Sequence, residues 1–175
     1  GQKWGVRRYQ NEDGSLTELG KRRRAVVFVS GSSKSQDETS PYYRKELPDA
    51  VKQEISTRAK DGATFIVGDA PGIDRQVQNY LNKIGYKKVE VYGPGDKLEY
   101  IANEGWKQKL VKVPNAEEGS KEWLAGKDKA MSKRATEGIA VVLDEGANAT
   151  RRNIERLLEK NKNVKFEIIS AQDDE

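Results

Sequence analysis

The chain has 175 residues, of which 34% are charged and 35% hydrophobic, and it contains neither cysteine nor histidine. The absence of cysteine excludes disulfides and thiolate metal sites, and the absence of histidine excludes serine–histidine and cysteine–histidine hydrolases. No apolar run approaches the roughly 20 residues a membrane-crossing helix needs, and no charged start with an apolar stretch marks a signal peptide, so no membrane partner is expected.

The formal charge of +4 is unevenly placed. Residues 1–24 hold seven cations and three anions, so the remaining 151 residues balance. A basic face for duplex nucleic acid is therefore not written into the body, and nucleic-acid contact is assigned to the arm if anywhere.

Residues 1–24 read as a basic arm or linker. Asn11-Glu12-Asp13-Gly14-Ser15 is a turn signal, and Ser15-Leu16-Thr17-Glu18 has capping-box spacing for a brief helix. From Ala25 the pattern changes. Ala25–Val29 is an unbroken apolar run, as expected of a strand covered on both faces, and it ends at Ser30-Gly31-Ser32-Ser33. Lys34–Tyr43 reads as a loop. Pro48 opens a helix with Leu47, Val51, Ile55 and Ala59 on one stripe, and Asp61-Gly62 ends it.

Thr64–Val67 is the second strand, followed by Gly68-Asp69-Ala70-Pro71-Gly72-Ile73-Asp74. Ile73, Val77, Tyr80, Leu81 and Ile84 mark a second helix, closed by Gly85. Val89–Tyr92 is the third strand, closed by Gly93-Pro94-Gly95. A helix near Lys97–Lys109 and a short extended piece at Leu110–Val113 are expected next, then a helix over Lys127–Thr136. Gly138–Leu143 is a fourth strand with the loop Asp144–Asn148, and a helix with Ile154, Leu157 and Leu158 inward follows. Val164–Ile169 is the last strand, before an acidic tail at 171–175.

Strands alternating with helices predict an α/β, Rossmann-like three-layer sandwich with a mainly parallel five-stranded sheet in the order 3-2-1-4-5. Ligands of such sheets bind at the carboxyl ends of the strands, where the order reverses. The loops after strands 1, 2 and 4 are then the candidate site. The first offers Gly31, Ser32, Ser33 and Lys34, whose amides, hydroxyls and ammonium suit phosphate oxygens, although a plain turn has the same composition. It lacks Walker-loop spacing. The second offers Gly68, Asp69, Gly72 and Asp74. The glycines permit a tight exit and close approach, while the aspartates suit a ribose hydroxyl or, alternatively, helix capping. The third offers Asp144, Gly146 and Asn148. Asp128, Met131 and Arg134 share one helical row. Met131 reads as core, and Asp128 faces either the site or the Arg134 side.

These runs, with Lys127-Asp128-Lys129-Ala130-Met131 and the strand–loop–helix at 139–154, resemble the SLOG superfamily and, within it, the YspA-like group. The resemblance covers about residues 25–170. It implies a Rossmann-like domain that binds a nucleotide or nucleotide-derived signal, with Gly31, Ser32, Gly68, Asp69, Gly72, Asp74, Asp128 and Gly146 lining the site. The phosphoribohydrolase branch carries a Pro-Gly-Gly-x-Gly-Thr-x-x-Glu motif. Here Glu145-Gly146-Ala147-Asn148-Ala149-Thr150 stands out of register with it. Lys3–Asn11 with Asp13–Thr17 is similar to a segment of phage head-morphogenesis proteins, which implies a phage or prophage origin and phage structural partners for residues 1–24.

Three functions follow from these readings: a nucleotide-binding module; an N-glycosidase-type enzyme or toxin using Asp69 and Glu145, with Asp74, Asp128 and Asp144 as further candidate carboxylates; and a phage structural or DNA-associated protein without a ligand. No cofactor or metal is called for, self-association is a further partner reading, and the location implied is host cytoplasm or phage particle.

Overall fold

The computed structural model describes residues 24–31 and 45–142 continuously, together with the strand 165–170 and positions 13, 15, 18, 20, 38, 39, 155 and 159. In chain order the elements are β1 (Val26–Gly31), α1 (Asp49–Lys60), β2 (Thr64–Gly68), α2 (Ile73–Lys83), β3 (Val89–Pro94), β4 (Lys107–Val111), α3 (Lys121–Arg134), β5 (Glu137–Val142) and β6 (Lys165–Ser170).

The six strands form one sheet in the order β4-β3-β2-β1-β5-β6, and every pairing is parallel. The expected order of five strands holds, and β4 adds a sixth beside β3. The chain runs outward from β1 through β2, β3 and β4, then returns to lay β5 against the other side of β1. That reversal puts the switch point between β1 and β5.

Alternation along the buried strands sorts their side chains into two layers. Val27, Val29, Phe65, Val67, Val89, Val91, Ile139 and Val141 face α1 and α2, where Val51, Ile55, Ile73, Val77 and Leu81 meet them. Val26, Phe28, Ile66 and Tyr92 face the other way and pack with Met131 of α3. Both faces are thus covered, which is why β1 reads as an unbroken apolar run. Each fully buried Val, Ile or Phe contributes about 1.5–3 kcal/mol, so this double-sided core dominates stability.

The helix ends follow local chemistry. Pro48 is the N-cap of α1, and its carbonyl accepts from Val51 and Lys52. Gly62, Gly72 and Gly85 all have positive φ at helix boundaries, which glycine adopts without strain. Ser120 caps α3 by accepting from the Trp123 N–H at 3.2 Å. At the arm, Ser15 donates from its backbone and its hydroxyl to Asp13 Oδ1, and Glu18 and Gly20 are helical.

Two expectations are corrected. There is no helix over Lys97–Lys109: residues 95–106 are turns and bends, and β4 starts at Lys107. Tertiary contacts explain the difference. Leu98 and Trp106 are drawn into the core, while the amides of Glu99 and Ala102 donate to side chains of other segments. The helix placed at Lys127–Thr136 is longer and earlier, spanning Lys121–Arg134, because the Ser120 side chain caps its start. Of the helix expected after the fourth strand, Glu155 and Glu159 are described and both are helical, while Ile154, Leu157 and Leu158 lie outside the described residues.

Candidate functional site

Gly31 ends β1 and Gly68 ends β2, so both stand at the carboxyl rim of the sheet. A Cβ on Gly31 would sit 2.5–2.6 Å from the Ile73 side chain, so β1 meets the start of α2 too closely for any larger residue. That contact brings Gly31 beside Gly72, the N-cap of α2, whose φ of 89° and ψ of −128° suit glycine. Gly72 supplies no capping side chain, which leaves the first turn of α2 with donors uncapped by it.

Asp69 and Asp74 are both buried, at 2% and 8% exposure. Neither behaves as a simple cap. Asp74 bends back to accept from the Ala70 N–H at 3.2 Å, so it holds the loop that precedes its own helix. Asp69 accepts from the Glu99 N–H at 2.7 Å and thereby clasps the segment after β3.

Lys127 completes the cluster. Its ammonium lies 3.6 Å from Asp74 Oδ2 and 3.9 Å from Asp128 Oδ1, and the residue is 7% exposed. Both Asp74 Oδ2 and Lys127 Nζ lie against Gly68, where an added Cβ would come within 2.4 and 2.6 Å of them. Gly68 is thus the floor on which the pair rests. Three carboxylates surround one ammonium, so the corner is locally anionic. Burial acts most strongly on Asp74 and pushes its carboxyl from 3.8 up to about 6, with the Lys127 charge opposing and Asp128 adding. Burial pulls the Lys127 ammonium down, but Asp74, Asp128 and Asp69 together outweigh it and hold it above its ordinary value.

A buried Asp74 with a raised pKa makes stability depend on pH. Between about pH 4 and 6 the folded protein binds a proton at Asp74 that the unfolded chain has already released. Stability from this group therefore falls as pH rises through that window and is level above it. Two pKa units correspond to about 3 kcal/mol. Urea unfolding should show the stability of Asp74→Asn relative to wild type increasing by that order between pH 4 and 6. A difference that stays constant across the window would contradict the assignment.

Gln78 supports the same corner. It is fully buried, donates to the Gly68 carbonyl at 2.9 Å and the Tyr100 carbonyl at 3.4 Å, and accepts from the Ala102 N–H at 2.9 Å. Arg75 stacks on Tyr100 at 5.1 Å and pairs with Glu99 at 3.4 Å. The segment after β3 is thereby fastened over α2, beside the rim.

Among the residues predicted for the site, Gly68, Asp69, Asp74 and Asp128 come together, and Gly31 with Gly72 adjoins them through Ile73. Met131 is core as expected, and Arg134 turns instead to Glu90, at 3.1 Å, on the α3 face. Ser32, Ser33, Lys34, Asp144, Glu145, Gly146 and Asn148 lie outside the described residues. Lys127 and Gln78 were missed as site residues, although each has a signal in sequence. Lys127 stands four residues before Met131, so a lysine occupies the inward stripe of α3. Asp74, Gln78 and Leu81 follow the i, i+4, i+7 spacing of a buried face, so two polar residues interrupt an apolar stripe.

Among the described residues no group of three or more carboxylates, or other metal-binding side chains, has the geometry to hold a metal ion. No helix among them is long and apolar enough to cross a membrane. The chain matches no known protein-family profile, and a search of curated proteins finds no significant relative.

Proposed function

We propose that the carboxyl rim binds a nucleotide or nucleotide-derived signal, as the likeness to the SLOG superfamily implies. The observation that carries this reading is the buried Asp74–Lys127 pair, with the partly exposed Asp128, beside Asp69 at the end of β2. Burying such charges costs several kcal/mol per ion, and a stable core has no need of them. Perturbed, desolvated charges at the ligand rim of a doubly wound sheet are the expected signature of a binding site. The corner's excess of carboxylates suits hydroxyl and amino donors of a sugar or base. The phosphate belongs to the loops after β1 and β5.

The second reading is glycosidic-bond cleavage. Asp74, with its carboxyl near 6, has the protonation range of a general acid or base at neutral pH. In that reading Asp69 and Glu145 remain the carboxylates for the sugar cation or the attacking water. The arm's likeness to phage head proteins supports a phage or prophage setting, in host cytoplasm or particle.

A panel of nucleosides, mononucleotides, dinucleotides and cyclic ADP-ribose-type compounds separates these readings. A true ligand at 100 times its Kd stabilises by about 2.7 kcal/mol, or roughly 5–10 °C in a chain of this size. Asp69→Asn and Asp74→Asn should abolish the shift. Released base, detected by chromatography, supports the enzyme. No shift and no base from any compound, with salt-dependent DNA retention that is lost on deleting residues 1–24, would replace both with the structural role.

A further inference from the structure

We propose that the groove between α1 and α2, on the outer surface of the sheet's first layer, is a docking site for an extended acidic peptide. The two helices lie over the same face and are joined by a hydrogen bond of 2.6 Å between Ser56 Oγ and Tyr80 Oη. Around that link are two adjoining hollows of about 420 and 240 Å³, which share Lys52 and Tyr80. Among the described residues their walls carry four lysines, 45, 52, 60 and 83, against two acids, Glu46 and Asp49. The body as a whole is electrically balanced, so the groove is a local excess of positive charge.

The lysines converge rather than scatter. Glu46 is held below the ordinary carboxylate range first by Lys52, whose ammonium is 2.9 Å away, and further by Lys83 and Lys45. These three come from α1, α2 and the segment before α1, so one carboxylate already sits where three cations meet. Lys60 lies eight residues beyond Lys52, about 12 Å along the helix. Carboxylates on alternate residues of an extended chain repeat every 6.6–6.8 Å, and two such steps span that distance.

The remaining lining selects a peptide over other anions. The exposed Gln53 can both donate and accept, as a peptide backbone requires, and the Asn79 amide nitrogen can donate while its Oδ1 holds the Tyr100 hydroxyl. Among the described residues Leu47 is the one aliphatic side chain in the walls, so they offer an amphipathic helix little apolar surface. Among the described residues of the walls Tyr80 is the one aromatic, and its hydroxyl is tied to Ser56, so these residues form no stacked platform of the kind single-stranded nucleic acid uses. The site is separate from the carboxyl rim and does not rest on the nucleotide reading.

The test is fluorescence anisotropy with a labelled ten-residue peptide of alternating Asp and Ser. Its Lys–Ser counterpart and a labelled ten-nucleotide oligothymidylate serve as comparisons. Saturable binding of the acidic peptide alone is expected, weakening at least tenfold in the Lys52→Gln/Lys83→Gln variant and falling with added salt. Lys83 is exposed and the Lys52–Glu46 pair faces solvent, so thermal unfolding of the variant should stay close to wild type, and Gln53→Ala with the lysines intact should weaken the peptide severalfold. Absence of saturable binding, binding undiminished in the double variant, or equal affinity for the oligothymidylate through the same lysines would overturn the proposal.

Discussion

Replacing Lys127 by Met is expected to cost about 3–5 kcal/mol at pH 8, the loss typical of removing one partner from a buried ion pair. Methionine keeps most of the side chain's length and apolar contact, so the loss reports charge rather than volume. Asp74 and Asp128 stay behind without the ammonium that lies 3.6 and 3.9 Å from them. The sign of the pH effect follows. Burial already lifts Asp74 to about 6 with Lys127 opposing, and without Lys127 it rises further. At pH 4–5 Asp74 is then neutral and costs little, so the variant's deficit shrinks on acidification. Adding Asp74→Asn should restore much of the stability at pH 8, because the cycle removes the charge left unpaired. Urea unfolding of the two single variants and the double variant at pH 5 and 8 measures all three terms. A deficit below about 1 kcal/mol that does not change with pH would mean that the pair is solvated and carries no special energy.

Gln78→Leu is expected to cost about 2–4 kcal/mol despite the near-equal size of the new side chain. The substitution leaves the Gly68 carbonyl and the Ala102 N–H without the partners at 2.9 Å that Gln78 now supplies. Each buried backbone group left unsatisfied costs about 1–3 kcal/mol. The effect should also be local. Residues 95–106 are irregular and are fastened by Gln78, by Asp69 at the Glu99 amide and by Tyr100, whose hydroxyl donates to Asn79. Amide exchange at Ala102 and Glu99 should quicken in Gln78→Leu while that of Val67 and Val91, in the central strands, changes only with global stability. Uniform acceleration across the sheet would show that Gln78 supports the whole core and not this segment.

The two variants bear differently on function. Lys127 and Asp74 belong to the corner proposed to receive the ligand, so their substitution should remove any thermal shift. Gln78 acts at one remove by holding the carbonyl end of Gly68 and the segment over α2. Its loss should weaken binding through a looser corner and leave the ligand preference intact.

Much of this architecture was legible in residues 25–94. Ala25–Val29 and Thr64–Val67 are short, largely apolar runs between turn signals, and Val89–Tyr92 is one broken by Glu90; such runs become parallel strands when both faces are covered. Alternating strands and helices implied parallel strands, and the order 3-2-1-4-5 chosen among the orders they allow is the one the sheet has. Gly72 also announced itself, since a glycine between Pro71 and an apolar helix stripe marks a backbone turn other residues resist. Residues 95–126 were opaque for an equally physical reason. Leu98 and Trp106 are anchored singly in the core, with no helical or alternating period, and the amides of Glu99 and Ala102 bond to side chains about 24–30 positions away. Local pattern cannot reveal partners at that distance.

Sequence by itself determined the layers, the parallel sheet and the rim at which Gly31, Gly68, Asp69, Gly72 and Asp74 stand, because these depend on apolar period and turn chemistry within a few residues. Only the tertiary structure decided that Lys127, 53 residues after Asp74, would be buried against it, and that Gln78 would bind the carbonyl of Gly68 and the amide of Ala102. The physical reason is that α3 crosses the sheet on the face opposite α1 and α2, yet its inward side reaches the end of β2. A charge there acquires its environment from chain segments that meet only when the sheet is complete.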